Sequence, residues 1–187
     1  MEIEFIHSKT YDQILSQREN LPKIDFFKKI NGIKEEWKKY EKDILNEISK
    51  LTNLKWKETN IKCYVVTNSI PFSEPLTIPA YKKIDLFIDV LIHELIHSIL
   101  NRNNYRLSKE AWDYIFDKYK NESLSTKLHI PLHAIHSHIY LKFFNRERMI
   151  RDIKKIRKHS NGDYKRSWEI VQKEGYQNII KEFTKRI

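Results

Sequence analysis

Residues 84–100 read IDLFIDVLIHELIHSIL. Nearly every position is aliphatic or aromatic, yet Asp85, Asp89, His93, Glu94 and His97 sit among them. The run predicts a helix over about residues 83–101, ended by the polar turn NRNNYRLS. Asp85, Asp89, His93 and His97 follow one another at four-residue steps, so the polar groups line one stripe of an otherwise apolar helix. A buried stripe of that kind is costly unless its members are paired or hold a metal.

At about 100° per residue, His93 and His97 differ in direction by only about 40°, so both rings leave one face a turn apart. Two imidazoles so placed can share a tetrahedral zinc at about 2.0–2.1 Å each. Glu94 lies about 60° round from His97, at the edge of the same face, within reach of a water on the metal without being a ligand. Zinc lowers the pKa of such a water toward about 7, and a neighbouring carboxylate then takes its proton. The five residues HELIH therefore carry two metal ligands, His93 and His97, and one general base, Glu94. Asp89, one turn before His93, is placed to orient a ligand, and Asp85 to cap the helix start.

A catalytic zinc needs a third protein ligand. Six of the eight histidines lie between residues 93 and 138, four of them in HIPLHAIHSHIY, residues 129–140. On a continuous helix His129, His133 and His136 share a face within about 60°, and His138 points away. His133 is the first candidate, central on that face and beside Ala134, which permits close approach. His129 is the second, with Pro131 between it and the regular helix, and His136 lies one turn further on. Carboxylates on the following helix, Glu110, Asp113 and Asp117, form a separate candidate group, with Glu122 beyond them.

The rest of the chain frames this pair of segments. EIEFIH alternates as a short strand, and IKCYVVT over Ile61–Thr67 reads as a buried one. Apolar residues from Phe26 to Ile48 recur at helical spacing, predicting one long amphipathic helix over about 25–51 with Gly32 as its weak point. Pro71, Pro75 and Pro79 exclude a central strand in PFSEPLTIP but allow an edge strand over Leu76–Ile78. Ser108 is placed to cap a helix running to about Tyr119, and a further helix spans about 123–145 around Pro131. Two or three helices follow, punctuated by SNGD and Gly175. Strands come first and helices dominate afterwards, which predicts an α+β domain.

The 187 residues suit one domain with a real core. One cysteine, Cys63, no signal-peptide pattern and no clean apolar run of membrane-spanning length predict a cytoplasmic protein without a membrane partner. Of the net charge of +10, the last 42 residues carry 13 basic and 6 acidic groups, or +7, densest in RERMIRDIKKIRKH. Such a tail can bind nucleic acid, or it can be a solvated helix face.

HELIH on an apolar helix, preceded by strands and followed by a helix that offers a ligand, resembles the zincin metallopeptidases. The likeness lies in residues 61–140; locally, the segments NESLSTKLHIPLHAIHSHIYLKFF and YKRSWEIVQKEGYQNIIKEF are similar to small archaeal and bacterial zincin-like proteins. The glycine and histidine that metzincins carry after the motif are absent, as is the N-E-x-x-A helix of thermolysin-like enzymes. The resemblance, over residues 61–140, falls within an expected zincin-like domain over residues 1–145 with a basic helical extension over 146–187 packed on it. It also implies Zn2+ on His93 and His97 with His133 or His129, and Glu94 as the base that cleaves a peptide or protein substrate. The strand before the motif helix would form an edge to which an extended peptide adds, and His136, Tyr140 or Tyr105 would steady the oxyanion. The contrasting reading is a nucleic-acid-associated binding protein with a closed, structural zinc site and the basic tail as its working part.

Overall fold

The structure is a computed structural model describing residues 1–17, 20, 23–103, 105–159 and 162–187, the side chains of 105–108 and 155–159 excepted. Along the chain the order is β1 (Glu2–Ile6), α1 (Lys9–Ser16), α2 (Phe26–Lys38), α3 (Glu41–Thr52), β2 (Asn60–Val66), β3 (Phe72–Ser73) and β4 (Leu76–Pro79). Then come α4 (Ile84–Arg102), α5 (Tyr105–Lys118), α6 (Leu124–Phe143), α7 (Arg146–His159), α8 (Asp163–Glu174) and α9 (Tyr176–Thr184). The architecture is α+β: a small mixed sheet and a majority of helix. No helix among the described residues is long and apolar enough to cross a membrane. Two compact units divide the chain, the first formed by residues 1–45 and 56–98, the second by 46–55 and 99–187; the division falls inside α3 and α4.

In the first unit the sheet order is β1-β2-β4-β3, with the first three strands parallel and β3 antiparallel to β4. Ile3 and Phe5 of β1, and Ile61, Cys63 and Val65 of β2, alternate into the core as a strand period of two requires. Against them lie Phe87, Ile88, Leu91 and Leu95 of α4, all fully buried, with Phe5 and Phe87 meeting edge to face at 6.0 Å.

Two sequence expectations are corrected here. Leu76–Pro79 is not an edge: β4 pairs with β2 on one side and β3 on the other. Its prolines stand outside or at the end of the strand, leaving the N–H groups of Leu76, Thr77 and Ile78 able to pair. The expected docking edge for a peptide is thus already occupied by Phe72–Ser73. The long helix over 25–51 is two helices, and it parts at Lys39–Tyr40 rather than at Gly32. There Lys39 N donates to Glu36 O and Tyr40 N to Trp37 O, tightening the chain into three-residue turns. The break aims Glu41 at the sheet: its Oε1 accepts from Ile3 N at 2.8 Å and from Trp37 Nε1 at 3.0 Å. Gly32 instead marks a close approach, since a Cβ there would stand 3.1 Å from Ile84 Cδ1.

In the second unit α6 is the central helix, with Ile130, Leu132, Ala134, Ile135 and Ile139 all buried. A helix apolar on so many sides requires partners all round, and α8 and α9 bring Trp168, Val171, Ile179 and Phe183. Ser123 caps α6 by accepting from Thr126 N, close to the expected start, and the helix continues through Pro131. Gly162 and Gly175 have φ of +96° and +83°, a region that favours glycine, and they open α8 and α9. Ser160 and Asn161 of SNGD lie outside the described residues. So does the side chain of Ser108, and α5 already begins at Tyr105.

The short helix α1 has no counterpart in the sequence reading, and its anchor is a buried carboxylate. Asp12 has no exposed surface and accepts from Thr67 N at 2.9 and 3.0 Å, from Thr67 Oγ1 at 2.8 Å and from His7 Nε2 at 3.1 Å. Replacing it by alanine strands several buried donors at once. Asp12→Ala is expected to lower the urea unfolding free energy by about 3 kcal/mol; a loss below about 0.5 kcal/mol, the usual surface effect, would show that the network contributes nothing.

Candidate metal centre

α4 occupies 84–102, close to its expected bounds, and presents its motif as helical geometry dictates. The rings of His93 and His97 lie 5.0 Å apart, inclined at 71°. Both are half-buried, while Glu94 between them is 5% exposed. His129 completes a group of three: one ring nitrogen from each of His93, His97 and His129 lies within 4.8 Å of the others, an arrangement able to hold a metal ion.

The donor set suits such an ion. Burial holds the His129 imidazole below its ordinary pKa and so favours the neutral form that a metal requires. Its Nδ1 lies 2.7 Å from the carbonyl oxygen of Ser125, an acceptor only, so Nδ1 carries the proton and Nε2 the lone pair. Tyr164 stands edge-on to the same ring at 4.1 Å and limits its rotation. Three imidazoles are a donor set that suits a first-row transition-metal ion.

Glu94 is the electrostatic anomaly of the site. Among the described residues no hydrogen bond or ion pair engages its carboxyl group. Burial pushes it up to about 8. The Cys63 thiol on β2 is pushed up too, by its own burial first and then by the charge of Glu94. Keeping such a carboxyl charged in these surroundings costs free energy.

Other candidates are placed elsewhere. His133, the first choice for third ligand from the sequence, is not in the group: its ring stacks on Trp168 at 4.3 Å and its Nδ1 meets Ser167 Oγ at 2.6 Å. His136 and Tyr140 are buried and stacked on one another at 4.4 Å, interior parts of the second unit. The side chain of Tyr105 lies outside the described residues. His138 pairs with Glu47 at 2.8 Å, Asp113 with Lys109, and Glu122 with Arg166 at 2.6 Å; Glu110 and Asp117 are exposed. Asp89 is 1% exposed, one turn before His93, and Asp85 sits in the first turn of α4, where a negative charge suits the helix dipole. The contacts of Ser125, Tyr164 and Ser167 with the histidines had no signal in the sequence, because each joins residues far apart along the chain or uses a backbone carbonyl.

No protein-family model matches the chain, and no curated protein or solved structure matches it at a significant level.

Metal titration separates His129 from His133. The protein should take up one equivalent of zinc, and His129→Ala should weaken it more than the 10–100-fold typical of losing a residue that only orients a ligand. His133→Gln should stay within about tenfold of the parent. Equal losses in the two variants would remove the distinction.

A second expectation concerns acid stability. Burial first, and then the positive charge of Arg148, hold the His136 imidazole down at about 3. That is below the free-histidine value of about 6.5. The fold keeps the ring neutral, so this contribution is complete above about pH 6.5 and is lost as the pH falls toward 3. His136→Phe should therefore flatten the acid limb of a stability profile. Between about pH 6 and 4 the slope should differ from the parent by about 1.4 kcal/mol per pH unit, measured by urea unfolding. Parallel profiles would show that His136 takes up no proton on unfolding.

Proposed function

We propose that this chain is a zinc-dependent hydrolase of the zincin type, acting on peptide bonds. The observation that carries the reading is Glu94, a buried carboxyl group without a hydrogen-bonding partner among the described residues, next in the chain to one of three neighbouring imidazoles that could hold a metal ion. The HELIH spacing and the strands-then-helices order support it, since they are the features that resemble zincins.

In this reading His93, His97 and His129 would hold the ion, and the Ser125 carbonyl fixes the His129 tautomer with the proton on Nδ1. A bound zinc supplies a Lewis acid for the scissile carbonyl and acidifies the attacking water. Glu94 takes the proton as the water oxygen bonds to the carbonyl carbon, then delivers it to the amide nitrogen as the C–N bond breaks. Atoms balance: one water enters, and a carboxylic acid and an amine leave. Burial raises the proton affinity of Glu94, and the positive charge of a bound ion would oppose that and favour the ionised carboxylate that this role needs. The apolar remainder of α4, from Phe87 to Ile99, keeps the motif rigid and excludes bulk water from its inner side.

Glu94→Gln tests the assignment, because glutamine keeps the shape but cannot accept the proton. The variant should bind zinc as the parent does and lose cleavage of a fluorogenic peptide library by about 10²–10⁴-fold. Cleavage persisting in that variant, with zinc bound, would overturn the role of Glu94.

A further inference from the structure

A concavity lies wholly within the second unit, among α6, α7, α8 and the start of α9, and belongs to no part of the histidine group. Its volume is about 380 Å³, in the range of about 300–1,000 Å³ that small-molecule sites occupy. Leu141, Ile150, Ile153, Trp168 and Val171 give it an apolar side, and Arg146 stands in its lining. Leu141 and Ile150 keep 40% and 36% of their surface exposed although both are large aliphatic residues, so the cavity has a wet apolar rim.

Charge narrows the ligand. Arg146 is exposed, and among the described residues no carboxylate pairs with it. The neighbouring cations are occupied: Lys142 pairs with Glu47 at 2.7 Å, and the Arg148 guanidinium stacks on Phe144 at 3.8 Å. One available guanidinium in the lining of a largely apolar cavity matches a ligand with one negative charge and an unbranched apolar body. A guanidinium engages a carboxylate through two parallel N–H···O bonds. A dianionic phosphate would call for more than one available cation.

We propose that this cavity binds a medium-chain aliphatic carboxylate, with the chain among Leu141, Ile150, Ile153 and Val171 and the carboxylate on Arg146. The site is separate from the metal group, and its occupancy does not require metal. Binding covers the exposed faces of Leu141 and Ile150 and gives Arg146 a counter-ion. Both gains are specific to an amphipathic anion.

Calorimetric titration of the full chain with octanoate, octanol and acetate tests this. Octanoate should saturate a single site, octanol should bind at least about tenfold more weakly for want of the charge-assisted bonds, and acetate should show no saturation. Arg146→Met keeps the bulk of an exposed residue, so it should fold as the parent does and lose about tenfold in octanoate affinity. Octanoate failing to saturate, octanol binding equally well, or Arg146→Met binding octanoate like the parent would each overturn the assignment. A zinc titration of Arg146→Met that matches the parent distinguishes failure at this site from failure of the fold.

Discussion

Taking a carboxylate out of water without a partner costs several kcal/mol, more than most single contacts return. Glu94, 5% exposed, bears part of that cost inside α4, flanked along the chain by Ile92, Leu95 and Ile96, none of which has exposed surface. Its proton affinity rises as a result above that of an ordinary carboxyl group. Everything else about the candidate centre follows from where that helix can lie. The sheet and α4 supply the dry inner side, and the four-residue step holds His93 and His97 on one face.

The second unit solves the same problem differently. α6 carries four histidines, and each has found a separate environment. His129 is oriented by a backbone carbonyl one turn back, and His133 by Ser167 and the face of Trp168. His136 is neutral in the interior, and His138 pairs with Glu47 near the surface. One residue type thus serves as a possible ligand, an oriented interior ring, a desolvated ring and an ion-pair partner. Neighbours on α8 and α3 make the difference.

Periodicity carried much of the fold into view. α4 and α6 begin and end close to where apolar spacing and Ser123 place them, and β1 and β2 alternate as read. The misreadings share a cause: they concern contacts between distant residues. The parting of α2 from α3 depends on Glu41 reaching Ile3, thirty-eight residues away. The interior position of β4 depends on the two-residue strand β3, too short to carry a pattern. Helix α1 depends on Asp12 meeting Thr67, and an isolated aspartate in an eight-residue segment reads as surface.

For the candidate centre the same boundary holds. HELIH determines by itself that two imidazoles and a carboxylate share one helical neighbourhood, because 3.6 residues per turn leaves no other arrangement. It also determines that these groups sit in apolar surroundings, since the residues between and around them are aliphatic. It cannot rank His129 against His133, which lie one turn apart on the same face of α6. Tertiary structure separates them, because Ser167 and Trp168 take one ring while the Ser125 carbonyl leaves Nε2 of the other its lone pair. Local spacing obeys helical geometry and is legible; the choice between equivalent rings depends on hydrogen bonds that only the folded chain assembles.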